Sequence, residues 1–428
     1  MFNIAGYKII QKLHESNNSR VYRAYDDVHQ RSVILKVLSK DYPSPEDITR
    51  YKREYDITCS LGFDGVIQAY GLQQIENTFF MILEDFGGES LEDAIAHHAF
   101  TLPEILRILI QVTDALGKIH SKNIVHKDIN PSNIIINLDN QLVKIIDFGI
   151  STVLPKETLA AQCPNFLEGT LAYMSPEQTG RMNRSLDYRT DFYSLGATLY
   201  YLLTQRFPFQ TQDPLELVHC HLALDAIAPL QINPSIPLPV SNIVMKLMEK
   251  NAENRYQSAF GLKSDLERCL NSLLSQGDIP LFELAKDDIL EKFQIPEKLY
   301  GREQEVELIL NSFKQIHCQQ SKADDSPQEE QPVITNQMIL VSGYSGIGKS
   351  ALVHEIYKPV TEQKGYFISG KFDQYQRDIP YFAIAQAFQV LVKQILTENE
   401  SNLVYWRTQL QSAFGESGQI IIEMIPAM

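Results

Sequence analysis

The sequence predicts an α+β region followed by a smaller α/β module, and three observations support this prediction. Residues 7–37 contain short runs rich in Ile, Val and Tyr, as paired β-strands do. Thr101 precedes a long stretch whose apolar residues recur every three or four positions, which is typical of a helix packed on a core. Residues 343–350 read GYSGIGKS, between an apolar run and a helical pattern. Strands followed by helices indicate an α+β fold, and a strand, glycine loop and helix indicate an α/β unit.

Composition limits the partners that this chain can have. Its 428 residues are 44% hydrophobic and 21% charged, which is enough material for two or three globular domains. The net charge of −15 disfavours nucleic acid and anionic membranes, because both are bound through excess Lys and Arg. No 18-residue apolar stretch occurs, and the first residues lack the pattern of a signal peptide. We therefore expect a soluble protein with no nucleic-acid partner and no membrane segment in this chain.

The cysteines indicate a reducing compartment. They are odd in number, scattered and without a C-x-x-C pair: Cys59, Cys163, Cys220, Cys269 and Cys318. This pattern favours free thiols and a cytoplasmic location. His219, Cys220 and His221 could suggest zinc, but consecutive side chains cannot converge on one ion, so we expect no zinc site there.

The richest chemistry lies in residues 124–149, which read IVHKDINPSNIIINLDNQLVKIIDFG. Asp128 is followed five positions later by Asn133, and Asp147 comes after two apolar runs that predict a β-hairpin. An Asp and an Asn at this spacing alone are more often turn residues than catalytic ones. The hairpin changes this interpretation, because it brings Asn133 and Asp147 together as hard oxygen ligands that suit Mg²⁺.

This stretch resembles the catalytic core of the eukaryotic-type protein kinases, whose loop reads H-R-D-x-x-x-x-N and precedes D-F-G. The resemblance extends over about residues 7–270. It implies a bilobal protein-kinase fold, with a kinase domain at residues 1–270 and ATP and Mg²⁺ as cofactors. It also implies that Asp128 accepts the proton of the acceptor hydroxyl, while Asn133 and Asp147 hold the metal.

A lysine and a glutamate extend the resemblance. Residues 33–36, VILK, resemble the kinase pattern V-A-I-K, which implies that Lys36 binds the α and β phosphates and contributes to catalysis. A helix predicted from Pro45 to Cys59 carries Glu54, the expected ion-pair partner of Lys36. A lone strand lysine is more often a solvated edge residue, and Glu54 could be an ordinary surface charge. The presence of both residues favours the functional interpretation.

The phosphate-covering loop departs from the family. The kinase pattern G-x-G-x-x-G-x-V aligns with residues 14–21, but His14, Ser16 and Ser19 occupy the glycine positions. Glycine lets backbone approach phosphate closely, so this loop must bind more loosely or differently. Residues 78–91 resemble the strand and hinge that read adenine, with Glu89 near the ribose. The implied adenine-site residues are Leu13, Val21, Glu84, Asp85 and Phe86.

The activation segment begins at Asp147, and its end, GTLAYMSPE, resembles G-T-x-x-Y-x-A-P-E. Thr170 in this motif favours Ser/Thr rather than Tyr acceptors. The resemblance implies two structural roles as well: Asp191 supports the catalytic loop, and Arg255 pairs with Glu177. His126 is expected to be a buried organiser of the loop.

The C-terminal part of the chain predicts a second unit. Residues 271–298 lose clear periodicity and indicate a linker, and LYGRE at 299–303 opens a module that we place at 299–428. Its polar stretch at 318–331 is predicted to be a disordered loop. The GYSGIGKS segment fits G-x-x-x-x-G-K-[ST] at every position. It predicts a second nucleotide site formed by Gly343, Gly348, Lys349 and Ser350, with the Ser350 hydroxyl on Mg²⁺.

With LYGRE, this segment resembles the AAA-like ATPase module of the STAND signalling proteins. No apolar strand ending in paired acids follows before Met428, so we expect an incomplete module without its metal-binding aspartate. The order of the two units resembles the N-terminal part of large bacterial multi-sensor signalling kinases, which continue into helical repeats, a GAF domain and a histidine kinase. The implied function is ATP-dependent phosphorylation of Ser/Thr on proteins, coupled to the P-loop module. The implied partners are protein substrates and downstream signalling domains or two-component proteins.

Two alternatives remain open. A pseudokinase scaffold would bind nucleotide or partners without phosphotransfer. The missing glycines favour it, as does Asn130, which replaces the lysine that most Ser/Thr kinases place two residues after the catalytic aspartate. The second alternative is a nucleotide-binding switch in which only the glycine loop at 343–350 works.

Overall fold

The computed structural model describes two compact units. The described residues are 6–16, 19–39, 43–75, 78–154, 169–179, 186–211, 213–289, 301–323, 337–344, 347–356, 359–360, 365–372, 381–395 and 400–415. The first unit comprises those within Met1–Gln178, Leu186–Pro208 and Ala226–Gln294, and the second those within Thr179–Ser185, Phe209–Asp225 and Ile295–Met428.

An antiparallel five-stranded sheet forms the first lobe, as the strand-rich sequence predicts. The strands are β1 (Tyr7–Glu15), β2 (Ser19–Asp26), β3 (Arg31–Leu38), β4 (Ala69–Ile75) and β5 (Thr78–Glu84). Their order is β1-β2-β3-β5-β4. In this register Lys36 on β3 lies opposite Val21 on β2 and Met81 on β5. The sheet therefore places the lysine at its centre rather than at a solvated edge.

Alternation along β3 explains how this lysine faces the cleft. Val33, Leu35 and Val37 point to one side of the sheet, where they are buried in a cluster with Phe80. Because successive side chains in a strand point to opposite faces, Lys36 is directed to the other side. The apolar side holds the strand in position, and the opposite side is left for function.

One helix, α1 (Pro45–Ser60), covers the cleft side of this sheet and closely matches its predicted bounds. It begins with a capping box in which the Ser44 hydroxyl accepts from the Asp47 N–H at 3.2 Å, and the Asp47 carboxylate accepts from the Ser44 N–H at 3.0 Å. Tyr51 is buried, and its hydroxyl donates to the Lys36 carbonyl. The same hydroxyl accepts from the Met81 N–H at 3.1 Å, so α1 is fixed to two strands one turn before Glu54.

The second lobe is mainly helical. Its elements are α2 (Leu91–His97), α3 (Leu102–Ser121), α4 (Arg189–Thr204), α6 (Pro229–Ile232), α7 (Leu238–Leu247) and α8 (Ala259–Gln276), with α5 (Pro214–Ala223) grouped in the second unit. The predicted apolar stripe of α3 is confirmed, since Ile105, Leu109 and Ile119 are buried. A capping box begins this helix, because the Glu104 carboxylate accepts from the Thr101 N–H at 2.7 Å.

Short strands build the catalytic loop on this helical base. They are β6 (Glu89–Ser90), β7 (Ile124–Val125), β8 (Ile134–Asn137), β9 (Leu142–Ile145) and β10 (Thr152–Val153), in the sheets β6-β8-β9 and β10-β7. The predicted hairpin is confirmed as β8 and β9, with Ile134 opposite Ile145. The Ile146 N–H donates to the Asn133 carbonyl at 3.0 Å, so Asn133 lies beside the residue that precedes Asp147.

The structure differs from the predicted linker over its first part. Helix α8 continues to Gln276, past the predicted boundary at residue 270. Residues 278–288 then contact α8, with Ile279 buried and the Asp288 carboxylate accepting from the Gln257 N–H. The sequence pattern weakens here because a short irregular segment packed on a helix has no period of its own.

The described part of the second unit is helical, with α9 (Glu303–Ala323), α10 (Lys349–His354), α11 (Phe382–Ile395) and α12 (Glu400–Phe414). Two predictions fail here. Residues 318–323 belong to α9, whereas the polar stretch predicted a loop from residue 318. Residues 337–344 are not assigned to a strand, although the apolar run predicted one. Residues 318–323 continue the helix because glutamine and lysine are good helix formers. An apolar run such as residues 337–344 forms a strand only when it has a paired neighbour, which the local sequence does not show. Within the described residues, no helix is long and apolar enough to span a membrane.

Candidate active site

Lys36 stands between two carboxylates at the centre of the cleft. Its Nζ lies 2.6 Å from Glu54 Oε1 and 3.0 Å from Asp147 Oδ1. The predicted Lys36–Glu54 ion pair is therefore present, and Asp147 joins it. The Asp147 backbone has a φ of +64°, in the left-handed region that non-glycine residues seldom occupy, and its carboxylate accepts from the Gly149 N–H at 3.1 Å. This turn directs the Asp147 side chain into the cleft.

Burial and charge set the protonation states of these three groups. Burial would lower the pKa of Lys36, but the carboxylates of Asp147 and Glu54 hold it above its ordinary value. Burial raises the pKa of Glu54 to about 7, and the nearby Asp147 carboxylate adds to this effect. Burial would raise the pKa of Asp147, but the Lys36 ammonium and the Gly149 N–H hold it below its ordinary value. The lysine stays charged, as a phosphate ligand must.

Asp128 is held in place through both carboxylate oxygens. Oδ2 accepts from Asn133 Nδ2 at 2.9 Å, and Oδ1 accepts from the Thr170 N–H at 2.9 Å. Asn133 Nδ2 also donates to the Asp128 carbonyl at 2.8 Å. Since the Asn133 amide nitrogen is turned toward Asp128, its side-chain oxygen is available in the opposite direction. This is the arrangement that a metal ligand beside an acceptor-binding aspartate requires.

A single cavity connects these groups. It has a volume of about 180 Å³ and is lined by Lys36, Glu54, Asp128 and Asp147, together with Ser16 at the loop between β1 and β2. A carboxylate and an amide oxygen, completed by phosphate oxygens and water, form the kind of site that Mg²⁺ uses with nucleotides. No group of three or more His, Cys, Asp or Glu side chains among the described residues could hold a metal alone.

Asn130 is a structural residue that sequence reasoning misjudged. Its side-chain oxygen accepts from the N–H groups of Ser132 and Asn133 at 2.9 and 3.2 Å. Its amide nitrogen lies 3.2 Å from both the Asp128 carbonyl and Thr170 Oγ1. Asn130 is buried and caps the short 3₁₀ turn Pro131–Asn133. The residue that favoured a pseudokinase in the sequence therefore orders the loop that holds Asp128.

Asp191 supports the catalytic loop from below, as the resemblance predicts. This fully buried carboxylate accepts from the backbone N–H of His126 at 2.9 Å and of Lys127 at 2.7 Å, and it lies 2.8 Å from His120 Nε2. His126 is also buried, and its ring contacts Phe148 edge to face at 4.9 Å. Lys127 has a φ of +71°, so these bonds stabilise a turn that its side chain disfavours.

The activation segment is anchored by the predicted Glu177–Arg255 pair. Arg255 Nη1 and Nη2 lie 2.6 and 2.9 Å from the two carboxylate oxygens of Glu177, and both residues are buried. Burial would raise the pKa of Glu177, but the Arg255 guanidinium holds it below its ordinary value. Gln178, the next residue, donates from Nε2 to the Lys127 carbonyl at 2.7 Å. The end of the segment is thereby tied to the catalytic loop.

The predicted hinge is bound to both lobes. Asp85 accepts from Arg23 Nε at 2.9 Å and from the Ser32 hydroxyl at 2.6 Å, which ties it to β2 and β3. The Glu84 carboxylate accepts from Lys144 Nζ at 2.6 Å, and the Phe86 carbonyl accepts from Asn137 Nδ2 at 2.7 Å. The Asp85 and Glu84 side chains are thus committed to protein contacts. Sequence reasoning missed Lys144, whose place in an apolar strand with no visible partner gave no signal.

The remaining residues of the predicted adenine site lie on the first two strands of the sheet, β1 and β2. Leu13 sits at an irregularity of the β1–β2 register between Lys12 and His14 and is 40% exposed. Val21 is half-buried and lies opposite Lys36. Glu89, predicted near the ribose, has its carboxylate 2.8 Å from His97 Nε2. Their roles in nucleotide binding stay predictions.

Ser16 and Ser19, which flank the loop between β1 and β2, are bonded to each other. The Ser16 N–H donates to the Ser19 carbonyl at 2.8 Å, and the Ser19 N–H donates to Ser16 Oγ at 3.1 Å. The glycine-rich loop of kinases presents such N–H groups to phosphate. Here the N–H groups of Ser16 and Ser19 are used for bonds between these two residues.

The second predicted nucleotide site has its lysine at the loop. Lys349 Nζ donates to the carbonyls of Gly343 at 3.0 Å and Tyr344 at 2.8 Å. Gly348 immediately precedes α10 and has a φ of +91°, a backbone conformation that a side chain would disfavour. Ser350 lies in the first turn of this helix. The loop thus holds an ammonium group where the motif requires one.

Comparison with known proteins gives the family. The sequence model of the protein kinase domain matches residues 7–266. The chain belongs to the protein kinase domain family. A second model, the AAA ATPase domain, matches residues 325–424, so the kinase domain is followed by an ATPase-type module. The two predicted fold classes are confirmed.

Three named relatives of the chain are kinases. The chain is 31% identical over 409 residues to the hybrid signal transduction histidine kinase G of Dictyostelium discoideum, over 76% of this chain and 11% of that protein. It is 30% identical to the serine/threonine-protein kinase PrkC of Bacillus subtilis, over 62% of this chain and 41% of PrkC. It is 33% identical to PknB of Mycobacterium leprae, over 58% of this chain and 40% of PknB. The chain thus spans 11% to 41% of the length of these relatives.

Proposed function

We propose that this chain is an ATP-dependent protein kinase that phosphorylates serine and threonine hydroxyls. The observation that carries the proposal is the geometry of Asp128. Its two carboxylate oxygens are oriented by Asn133 and Thr170, in a cavity that also contains the Lys36–Glu54–Asp147 cluster. Phosphoryl transfer needs positioning and charge stabilisation more than covalent chemistry, and this cavity offers both.

Each residue has one task in the proposed reaction. Asp128 accepts the proton of the acceptor hydroxyl while the hydroxyl oxygen bonds to the γ-phosphorus. The bond from this phosphorus to the β,γ-bridging oxygen breaks, which releases ADP. Lys36 binds the α and β phosphates, and Glu54 holds the lysine in position. Asn133 and Asp147 would hold Mg²⁺, which would supply positive charge to the phosphate oxygens. Backbone groups of residues 84–86, with Leu13 and Val21, hold adenine.

Several observations support serine and threonine as acceptors and a signalling context. Thr170, whose N–H orients Asp128, stands where Ser/Thr kinases carry threonine, and the relatives PrkC and PknB are named serine/threonine kinases. We further infer that the kinase is coupled to nucleotide binding at residues 343–350 and to downstream signalling domains or two-component partners, as the name of the Dictyostelium relative suggests. Neither Cys59 nor Cys269 forms a disulfide, which supports a cytoplasmic location.

The test is phosphotransfer from labelled ATP to a generic protein acceptor. Asp128→Asn should lower the rate by about 10²–10⁴-fold, the contribution of a positioned base, while nucleotide binding persists. Asp139→Asn, in the exposed turn of the same hairpin, is the matched control and should leave the rate unchanged. Transfer by Asp128→Asn within about threefold of wild type would refute the kinase proposal. Nucleotide binding without any transfer by the wild type would identify a pseudokinase instead.

A further inference from the structure

The chain after α8 folds back along that helix. Gly277, with a φ of +74°, ends α8, and Ile279 is buried just beyond it. The guanidinium of Arg268 then lies 4.4 Å from the ring centre of Phe282. The Ala285 N–H donates to Asp265 Oδ2 at 2.8 Å, one turn nearer the start of the helix. Residues 278–288, which we name the clasp, therefore run from the end of α8 to its beginning.

The clasp ends in a fitted contact at the start of α8. Asp288 Oδ2 accepts from the Gln257 N–H at 2.6 Å, and Oδ1 accepts from the Ser258 hydroxyl at 2.7 Å. Ser258 in turn caps the helix by accepting from the Gly261 N–H at 2.9 Å. A side chain at Gly261 would be impossible here, because its Cβ would lie 2.6 Å from Asp288 Cβ. Two charge-assisted bonds and this close approach distinguish the contact from a chance surface contact.

The contact adjoins the anchor of the activation segment. Gln257 Oε1 accepts from Arg189 Nη1 at 2.7 Å, and Gln257 Nε2 donates to the Arg255 carbonyl at 2.7 Å. Arg255 also donates from Nη1 to the Arg189 carbonyl at 3.0 Å, besides its pair with Glu177. Asp288 therefore fixes the backbone immediately after the arginine that holds the activation segment. From Glu177 the segment leads back to Thr170, which orients Asp128.

We propose that the clasp is a working part of the kinase domain and that Asp288 is a positioning residue for the Glu177–Arg255 anchor. The proposal rests on the proposed kinase function for its effect on activity. Residues 278–288 lie beyond the family match at 7–266, so membership of the family does not predict them. The affected step is productive placement of the acceptor protein, because residues 170–177 connect the anchor to the catalytic aspartate. Nucleotide binding, at the other side of the cleft, is spared.

The test compares Asp288→Ala with Asp287→Ala in the full chain. Asp287 is the neighbouring acid, and its carboxylate accepts from the Ser264 hydroxyl at 3.0 Å, away from the anchor. At a temperature well below unfolding, Asp288→Ala should lower kcat/KM for the acceptor protein about tenfold, the effect of one lost bond to a charged group, with KM for ATP unchanged. Asp287→Ala should change neither constant. Equal loss in both variants, or an equal change in KM for ATP, would overturn the proposal.

A second readout is independent of activity. In Asp288→Ala, the bonded N–H groups of Tyr173, Met174 and Gln178 should exchange hydrogen faster, while those of Lys36 and Met81 in the first lobe keep their rates. Faster exchange confined to residues 257–262 would show that Asp288 only caps α8 and would refute the positioning role. An inactive wild type would refute the kinase proposal alone, since the exchange comparison still decides the clasp. If Asp288→Ala does not fold, Asp288→Asn retains one acceptor oxygen and gives the same comparison with a smaller effect.

Discussion

Single residues at this site are best understood by the bonds that their side chains make rather than by residue type. Asn130 replaces a lysine and would count against catalysis if charge alone mattered. In the structure it bonds to Ser132, Asn133 and the Asp128 carbonyl, and so orders the loop around the proposed base. Ser16 and Ser19 stand at glycine positions and bond to each other, so their N–H groups are used within the protein. Each departure from the family pattern is thus accompanied by a local hydrogen bond of its own.

We predict that Asn130→Ala lowers both activity and stability. It removes the side-chain acceptor of the Ser132 and Asn133 N–H groups and the amide donor to the Asp128 carbonyl, which together cost about 1–3 kcal/mol of unfolding free energy. Loss of order around Asp128 should reduce the rate of phosphotransfer about tenfold or more. Denaturant titration and the phosphotransfer assay measure the two effects. Asn140→Ala, in an exposed turn, is the control, and a rate equal to that of wild type in Asn130→Ala would contradict this view.

Glu54 gives the nucleotide-free protein a specific dependence on pH. Its pKa rises from the ordinary 4.5 to about 7 in the folded state. Between these values the folded state holds a proton that the unfolded state has lost, so the Glu54 contribution to unfolding free energy decreases as pH rises through this window. Glu54→Gln should remove this slope, whereas Glu46→Gln on the exposed start of α1 should keep it.

The measurement is chemical denaturation from pH 4.5 to 7.5 without nucleotide. The advantage of wild type over Glu54→Gln should be largest near pH 4.5 and should shrink toward pH 7. A difference between the two proteins that stays constant across this range would show that Glu54 is already ionised and that Lys36 outweighs burial.

At the scale of elements, helix packing in the second lobe fixes the platform for the catalytic loop. Helix α4 carries Asp191 in its first turn, and its Gly196 faces α7, where an added Cβ would lie 2.7 Å from Leu247 Cβ. Such a distance leaves no room for a side chain. The close crossing of α4 and α7 therefore depends on this glycine, and the position of Asp191 depends on the crossing.

Gly196→Ala should destabilise the protein in spite of the better helix propensity of alanine. Propensity contributes up to about 1 kcal/mol in favour of alanine, but overpacking typically costs about 1–3 kcal/mol. We expect a net loss of about 1 kcal/mol in unfolding free energy, measured by denaturant titration. Gly62→Ala, whose added Cβ would meet its nearest atom at 3.9 Å, is the control. A more stable Gly196→Ala protein would show that α7 shifts freely.

At the scale of the whole molecule, a kinase domain and an ATPase-type module share one chain with a net charge of −15. Anionic phosphates must then be bound by local cations and N–H groups. We predict that Lys36 supplies the cation in the first unit and that Lys349 supplies it in the second. Each site is thus locally favourable for phosphate within an acidic protein.

We predict that the second module binds nucleotide weakly and hydrolyses it poorly. Lys349 and Ser350 can hold phosphate and metal, but efficient hydrolysis normally needs an acid on a neighbouring strand, and the sequence offers no good candidate after Ser350. ATPase activity should be measured in Asp128→Asn, which silences the kinase, with and without Lys349→Ala. Robust hydrolysis that Lys349→Ala abolishes would show a complete module, with an acid such as Asp373, outside the described residues, as the metal ligand.

The sequence by itself determined the elements whose signals are local. Two apolar runs within residues 124–149 predicted the hairpin, the apolar period after Thr101 predicted α3, and the family patterns located Lys36, Asp128 and Asp147. These predictions succeed because strand alternation, helix caps and loop motifs depend on residues close together in the chain.

Only the tertiary structure decided which distant groups meet. Asn130 bonds to Thr170, forty positions away in the chain, and Lys144 bonds to Glu84 on the hinge. Asp288 bonds to the backbone just before α8. Residues 278–288, predicted to be part of a linker, form the clasp because they bond to residues that are distant in the chain. A hydrogen bond between irregular segments leaves no periodic trace in either of them, because it depends on where the rest of the fold brings the two backbones together.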